Sequence, residues 1–152
     1  MMLEEKKILE HVTSIRKTNK KIVFTNGCFD LLHKGHRDLI KQSLSFGDIL
    51  IVGLNSNESV KRLKGEDRPI QNEVERKTAL LNTGYVNEVY IFDGDTPLEL
   101  INLIKPDILV KGGDYSPNEI VGYEEVTSSG GEIKIVPLTP GFSTTLIIEN
   151  MR

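Results

Sequence analysis

The chain contains no tryptophan, a single cysteine and no apolar run long enough to cross a membrane. One cysteine excludes an intramolecular disulfide and is typical of proteins from a reducing compartment. The first seven residues are charged and do not have the apolar centre of a secretory signal peptide. We therefore expect a cytoplasmic protein that does not associate with membranes.

An excess of charge of one sign is also missing. The 19 Lys and Arg residues nearly balance 22 Asp and Glu residues, for a net charge of −3. This balance argues against nucleic-acid binding through a broad basic surface, so a phosphate site in this protein should be local. The 152 residues contain no repeat and predict a single domain over 1–152, with an N-terminal helix in 1–20 and a catalytic core over 21–150.

Apolar, β-branched runs alternate with segments of helical periodicity along the chain. Strands are predicted at Lys21–Thr25, Asp48–Leu54, Val86–Phe92, Ile108–Lys111 and Glu132–Val136. Helices are predicted at residues 3–17, 35–44, 72–82, 97–104 and 143–150, with a polar turn at Asn55–Asn57 and a mobile basic loop at Lys61–Pro69. This alternation predicts an α/β protein with a Rossmann-like open parallel five-stranded sheet and helices on both faces.

The segment Thr25–His36 (TNGCFDLLHKGH) joins the first predicted strand to the helix that follows it. A glycine-containing turn before a helix N-terminus presents free backbone N–H groups and the positive end of the helix dipole to an anion. His33 and His36, three residues apart, add side-chain donors at the same point. The arrangement suits a nucleoside triphosphate.

Further segments continue this pattern: Asn55-Ser56, Arg62–Gly65, Arg68-Pro69, Val110–Tyr115 and Ser143–Thr145. In this order and spacing the chain resembles the nucleotidyltransferase superfamily marked by a His-x-Gly-His motif. That superfamily includes cytidylyltransferases, pantetheine-phosphate adenylyltransferase and heptose-phosphate adenylyltransferases. The resemblance is strongest to the bacterial D-glycero-D-manno-heptose 1-phosphate adenylyltransferases, mainly through Val110–Tyr115. In many bacteria that activity is one half of a two-domain kinase–adenylyltransferase.

The resemblance implies transfer of AMP from ATP to heptose 1-phosphate, with release of pyrophosphate, for a surface polysaccharide. It implies Mg²⁺ held mainly by the ATP phosphates, because no Asp/Glu cluster with convincing metal-ligand spacing is present in the sequence. A separate heptose kinase is expected to supply the sugar 1-phosphate. Dimers are usual in the superfamily, and the apolar residues of the N-terminal helix are a candidate homodimer interface.

The resemblance also implies the site residues. The catalytic candidates are His33, His36, Lys64 and Arg76, of which the histidines would donate to the α-phosphate and its bridging oxygen. The residues implied for nucleotide binding are Asn26, Gly27, Cys28, Phe29, Gly35, His36, Lys111, Gly112, Asp114, Phe142, Ser143 and Thr144. Those implied for the second substrate are Asp30, Asn55, Lys61 and Arg68.

Several of these residues have a simpler alternative role. The two histidines can be helix-capping or core residues, Asp30 can cap the following helix, and Cys28 is best explained as a small residue in a tight turn. The basic segment can be a solvated charge run. Cytidylyltransferases carry Arg-Thr-Glu-Gly where this chain has Leu138–Gly141, which favours the heptose branch. A glycerol 3-phosphate cytidylyltransferase and a nucleotide-binding regulatory module without turnover are the alternatives.

Overall fold

One sheet of five parallel strands forms the centre of the molecule. The computed structural model describes residues 3–141, 143–144 and 147–148. The strands are β1 (Ile22–Gly27), β2 (Ile49–Asn55), β3 (Glu88–Phe92), β4 (Ile108–Gly112) and β5 (Glu132–Val136). The helices are α1 (Leu3–Arg16), α2 (Lys34–Ser45), α3 (Asn57–Lys64), α4 (Glu73–Leu81), α5 (Leu98–Ile104) and α6 (Tyr123–Ser128), with a 3₁₀ turn at Pro117–Glu119. All five predicted strands are present, which confirms the predicted fold class.

The strand order is β3-β2-β1-β4-β5. Strands β2 and β3 are added on one side of β1, and β4 and β5 on its other side, so the strand order reverses between β1 and β4. Phe24 of β1 pairs with Ile51 of β2 on one side and with Leu109 of β4 on the other. In open parallel sheets, ligands bind at the carboxyl ends of the strands where the order reverses. The fold therefore places its candidate site beyond Gly27 and Gly112, the last residues of these two strands.

Two apolar clusters cover the two faces of the sheet. Side chains alternate between faces along a strand, so Ile108 and Val110 join one cluster, and Leu109 between them joins the other. The first cluster includes Ile40 of α2 and Leu80 of α4, and the second includes buried residues of α1, α5 and α6. Helices therefore cover both faces, as predicted, and the register of each strand decides which side of the site its last residues face.

The N-terminal helix packs against the sheet through the apolar residues that were expected to form an interface. Ile8 and Val12 are buried, in the cluster that contains Ile101 and Ile104 of α5. These two residues are therefore covered within the chain and are not available to the candidate dimer interface on α1, which otherwise stays a prediction. Apolar residues at helical spacing look the same in the sequence whether they pack inside the chain or against a second copy.

Two helices occur where none was predicted. Lys61–Lys64, expected in a mobile loop, lies in α3, which begins after Ser56, whose side chain accepts from the Ser59 N–H at 3.2 Å. Val60 is the only apolar side chain that α3 buries, so its sequence lacks an apolar stripe. Helix α6 likewise buries only Val126.

Half of the predicted terminal helix over Ser143–Asn150 lies outside the described residues. Of its four described residues, 144, 147 and 148 are helical. None of the helices in the described part of the chain has the length and apolar content needed to cross a bilayer.

Candidate active site

His33 and His36 form a reciprocal hydrogen-bonded pair at the start of α2. His33 is the N-cap: its Nδ1 accepts from the His36 backbone N–H at 3.4 Å, and His36 Nδ1 accepts from the His33 N–H at 3.3 Å. The two rings stack with centroids 3.7 Å apart. The pair is a capping box made of two histidines, where Ser or Thr with Glu or Gln is usual. The capping alternative and the donor role are therefore both compatible with this geometry.

This pairing fixes which ring nitrogen carries the proton. A backbone N–H can only donate, so Nδ1 of each ring must be unprotonated and the proton of the neutral imidazole lies on Nε2. Burial, and then the neighbouring His33, lowers the pKa of His36 to about 4. Burial also lowers the pKa of His33. Both side chains are therefore neutral donors through Nε2–H at neutral pH.

The histidines border a cavity of about 290 Å³, which we call the histidine cavity. It lies on the α2 side of the sheet, and its lining residues are Cys28, Phe29, Asp30, His33, Gly35, His36, Leu39, Lys64, Leu138, Thr139, Ser143 and Thr144. The structure thus brings together nine predicted residues from three parts of the chain, including one cation from α3 and two hydroxyls from the C-terminal segment. Phe142 lies outside the described residues.

Cys28 has the character of a turn residue. It is half-buried, and burial raises the pKa of its thiol, although Lys64 and Arg76 act in the opposite direction. A raised pKa keeps the sulfur protonated and therefore weakly nucleophilic. The structure supports the expectation that this residue serves the turn.

Asp30 does not cap α2, which His33 does, and its carboxylate is fully buried. The carboxylate accepts from Arg68 Nε at 3.0 Å, from the Ile70 N–H at 2.8 Å and from the Gln71 N–H at 3.0 Å. Thr144 Oγ1 donates to the Asp30 carbonyl at 2.6 Å. Asp30 therefore ties the loop before α4 and the C-terminal segment to the turn after β1. This is a positioning role. Asp30 also lines the histidine cavity, and its predicted contact with substrate stays a prediction.

Arg76 occupies a structural position instead of the predicted place beside the phosphates. Its side chain is completely buried. Nε donates to the Gln71 carbonyl at 3.0 Å, Nη1 donates to the carbonyls of Cys28 at 2.8 Å and Asn55 at 2.7 Å, and Nη2 donates to Asn57 Oδ1 at 3.0 Å. The guanidinium therefore joins the turn after β1, the end of β2 and the starts of α3 and α4, and it does not line the histidine cavity.

Two further basic residues are paired within the chain. Lys61 Nζ lies 3.6 Å from Glu58 Oε1, and Arg68 is 12% exposed in its pair with Asp30. Neither lines the cavities at this edge of the sheet. Of the predicted cations in the basic segment, Lys64 alone borders the histidine cavity.

A second cavity of about 330 Å³ lies at the same edge, on the α5 side of the sheet, and we call it the lysine cavity. It brings together four predicted residues, which are Asn26, Gly27, Asn55 and Lys111. The remaining lining residues are Leu63, Asp95, Thr96, Pro97, Tyr115, Glu119, Ile120 and Val121, none of which was predicted as a site residue. Most of these follow β3 or β4 at variable distance, so no local motif marks them, although Tyr115 does fall within a segment that carries the family resemblance.

Lys111 and Tyr115, at the end of β4 and just after it, line the lysine cavity, whereas Gly112 lines neither cavity. Gly112 lies against Leu39 and Leu138 of the histidine cavity, where an added Cβ would come within 3.1 Å of Leu138 and 3.2 Å of Leu39. Asp114 is exposed and lines neither cavity. The predicted contact of Asp114 with a nucleotide stays a prediction.

No group of three or more His, Cys, Asp or Glu side chains comes together as a metal site within the described residues. The expectation that Mg²⁺ is held mainly by the ATP phosphates stays a prediction.

Known proteins resemble this chain over most of its length. It matches the cytidylyltransferase-like family over residues 24–150. It is 54% identical over 142 residues to the "Bifunctional protein HldE" of Koribacter versatilis, which covers 93% of this chain and 29% of that protein. It is 48% identical over 151 residues to the protein of the same name from Campylobacter jejuni, and this match covers 97% of this chain and 32% of that protein. The chain therefore spans about 30% of the length of these curated relatives.

A solved structure has the same fold. The lipopolysaccharide core biosynthesis protein from Thermoplasma volcanium superposes with a TM-score of 0.64 at 26% identity, covering 79% of this chain and 97% of that one. The family match includes the turn after β1, both histidines and Lys64, the residues around which the histidine cavity is built. The chain belongs to the cytidylyltransferase-like family, and it is a nucleotidyltransferase.

Proposed function

We propose that the protein transfers AMP from ATP to D-glycero-D-manno-heptose 1-phosphate, forming ADP-heptose and pyrophosphate for a surface polysaccharide. The observation that carries the proposal is the reciprocal histidine pair at the N-terminus of α2, which presents two neutral Nε2–H donors beside Lys64. The relatives at about 50% identity are named bifunctional, and the solved neighbour is named for lipopolysaccharide core biosynthesis. Both names agree with one half of a kinase–adenylyltransferase.

The reaction is an in-line displacement at phosphorus. An oxygen of the sugar phosphate forms a bond to the α-phosphorus of ATP, and the bond from that phosphorus to the α–β bridging oxygen breaks. The bond electrons leave with pyrophosphate. A phosphate monoester is already a dianion near neutral pH, so the attacking oxygen has no proton for a general base to remove. Catalysis therefore requires alignment of two anions and stabilisation of the charge that develops on the leaving group.

The residues of the histidine cavity match those two tasks. His33 and His36 donate through Nε2 to the α-phosphate and its bridging oxygen, and they hold this form because each Nδ1 accepts a backbone N–H. Lys64 supplies the positive charge for the leaving pyrophosphate. Ser143 and Thr144 line the same cavity. The Thr144 hydroxyl donates its proton to the Asp30 carbonyl, so the proposed contact with the β- and γ-phosphates falls to Ser143. Backbone N–H groups from Gly27 to Phe29 complete the anion site.

The choice of ATP is supported by the wall of the histidine cavity. Leu138 stands where cytidylyltransferases carry an arginine, and it lines this cavity with Leu39. Two apolar side chains beside Gly112 offer a flat purine base a surface without a charged group. The family description nevertheless favours one second candidate, a cytidylyltransferase acting on glycerol 3-phosphate or another small phosphate.

Two partners complete the proposal. A separate heptose kinase supplies the sugar 1-phosphate, because attack on ATP requires a phosphate already on the sugar. A homodimer, usual in the superfamily that the chain resembles, is the second proposed partner, and the buried Ile8 and Val12 are not part of its interface.

Pyrophosphate release tests the proposal. The protein is incubated with Mg²⁺ and each of ATP, CTP, GTP and UTP, against both anomers of the heptose 1-phosphate and against glycerol 3-phosphate. Release with ATP and one heptose anomer supports the proposed function. Release with CTP and glycerol 3-phosphate supports the second candidate and overturns the substrate assignment. Tight ATP binding without release from any pair would instead indicate a nucleotide-binding regulatory module.

A further inference from the structure

Lys111 faces away from the cavity in which the nucleotide is proposed to bind. In β4, Val110 packs in the cluster on the α2 side and Leu109 packs in the cluster on the α5 side. Because side chains alternate along a strand, Lys111 faces the α5 side and lines the lysine cavity. Its neighbour Gly112 lies against Leu39 and Leu138 of the histidine cavity. The last two residues of β4 thus face opposite sides of the sheet.

The two cavities meet at the end of β1. Asn26 and Gly27, the last residues of β1, line the lysine cavity, and the next residues, Cys28 and Phe29, line the histidine cavity. In-line displacement places the attacking and leaving oxygens on opposite sides of the phosphorus. Two adjoining cavities therefore suit two substrates that meet at this point.

The ammonium of Lys111 has an aromatic neighbour and, among the described residues, no ion pair or hydrogen bond. Nζ lies 5.8 Å from the centroid of the Tyr115 ring. Burial lowers the pKa of Lys111, Cys28 acts in the opposite direction, and the nearby Lys64 lowers the pKa further. A cation held over a ring face in a concave site has the character of an anion-binding group.

Tyr115 reaches this position because of Gly113. The φ of Gly113 is +132°, and an added Cβ would lie only 2.6 Å from the Tyr115 ring. A side chain at position 113 would therefore push the ring from its place beside Lys111. Gly113 therefore allows the close approach of the tyrosine ring.

The rest of the lysine cavity suits a polyhydroxylated molecule. Asn26 and Asn55 contribute from the ends of β1 and β2, and Asp95 and Glu119 contribute carboxylates from the opposite side. Asp95 is paired with Arg62 at 3.0 Å, and Glu119 accepts from the Ser116 N–H at 3.1 Å, so both carboxylates are held in place. Carboxylates accept from sugar hydroxyls and repel a triphosphate, so the cavity favours a sugar with a single phosphate next to its one lysine.

We propose that Lys111 binds the phosphate of the acceptor sugar 1-phosphate in the lysine cavity, with Tyr115 positioning the Lys111 side chain. This inference rests on the proposed function, because it assigns the second substrate of that reaction. It moves Lys111 from nucleotide binding, where the sequence placed it, to the acceptor. Asp95 and Glu119 accept hydrogen bonds from the hydroxyls of the sugar.

Steady-state kinetics of Lys111→Met test the assignment, because methionine keeps the length of the side chain and removes its charge. We expect KM for the sugar 1-phosphate to rise about 30-fold, which is the size of a lost charge-assisted hydrogen bond. We expect KM for ATP to stay within about twofold. Calorimetric titration of heptose 1-phosphate into the protein without ATP should show the same loss of affinity. Lys111→Gln, also uncharged, should give the same result if Lys111→Met does not fold.

Lys134→Met is the matched control. Lys134 Nζ lies 5.7 Å from the centroid of the Phe46 ring, a similar contact, but it pairs with Glu132 and lines neither cavity. Its substitution should leave both KM values unchanged. Tyr115→Phe keeps the ring and should retain acceptor KM within about twofold, whereas Tyr115→Leu should raise it about fivefold.

Three outcomes would overturn the inference. An equal rise in both KM values, or a rise for ATP alone, would place the nucleotide in the lysine cavity. Unchanged acceptor KM and affinity in Lys111→Met would remove the lysine from substrate binding. If the unsubstituted protein turned over no acceptor, the proposed function itself would be refuted, and the assignment of Lys111 with it. This outcome differs from the other two because the unsubstituted protein is inactive as well.

Discussion

His33 and His36 each accept a hydrogen bond from the other residue's backbone N–H, and their rings stack 3.7 Å apart. The pair stabilises the start of α2 and at the same time directs the protonated nitrogen, Nε2, away from the backbone. Capping and phosphate binding are often treated as alternative explanations of a histidine at a helix start. In this site the first determines the tautomer that the second requires.

His36→Ala is expected to lower kcat by about 100- to 1,000-fold, because one donor to the transition state is lost. ATP affinity should stay within about threefold, because the hydrogen bond from His36 is stronger in the transition state than in the ground state. Pyrophosphate release measures the first quantity and calorimetry the second. His11→Ala, at the histidine on α1 outside both cavities, is the control. A parallel loss of binding and rate would show that His36 serves ground-state binding instead.

Stability should fall between about pH 6.5 and pH 4 because of His36. Its pKa is lowered to about 4 in the folded protein from the usual 6.5, so the unfolded chain binds more protons in this window. The stabilisation by neutral His36 is therefore fully present above pH 6.5, and it is lost as the pH falls towards the pKa of His36 in the folded protein. Protonation of Nδ1 would also set an N–H against the His33 N–H, which breaks the capping pair.

Urea unfolding at pH 7.5 and pH 4.5 measures this effect. Carboxylates titrate in the same range, so the informative quantity is the difference between the protein and His36→Asn, which cannot titrate. We expect the parent protein to lose about 1–3 kcal/mol more than the variant over this interval. Equal losses would mean that the pKa of His36 is near its ordinary value.

Arg76→Met should destabilise the protein by about 3 kcal/mol or more, because it leaves the carbonyls of Gln71, Cys28 and Asn55 without their buried donor. Arg76→Lys should recover little of this, since an ammonium lacks the planar set of donors. Lys77→Met, the next residue on α4, is the control and should change stability by less than about 0.5 kcal/mol. Normal unfolding of Arg76→Met with a raised KM for ATP would restore the predicted phosphate contact.

Lys64→Ala should raise KM for ATP about tenfold and leave the melting temperature unchanged, since the residue is exposed at the end of α3 and lines the histidine cavity. Pyrophosphate release and thermal unfolding measure the two effects. Lys6→Ala on the exposed side of α1 is the control. A lower melting temperature with unchanged kinetics would make Lys64 a structural residue.

Arg76 and Lys64 show why only part of the site could be predicted. Both are basic, and both lie near the same motif in the sequence. Lys64 faces the cavity, whereas Arg76 is enclosed by four segments whose carbonyls and amide converge on it. Asp30 is similar, because the three donors that bind its carboxylate come from residues 68–71, about 40 positions away. Such enclosure depends on the packing of segments distant in sequence, and no local pattern records it.

The five strands, their parallel arrangement and the turn with two histidines could all be predicted from the sequence, because they depend on local periodicity and on residues within a dozen positions of each other. Which neighbouring residues face which cavity became clear only from the folded chain. Lys111 and Gly112 are adjacent in sequence, yet strand alternation and the strand order at β1 and β4 send them to opposite sides of the sheet. The proposed division of the site between two substrates rests on that geometry, because each side chain can contact only a group in the cavity that it lines.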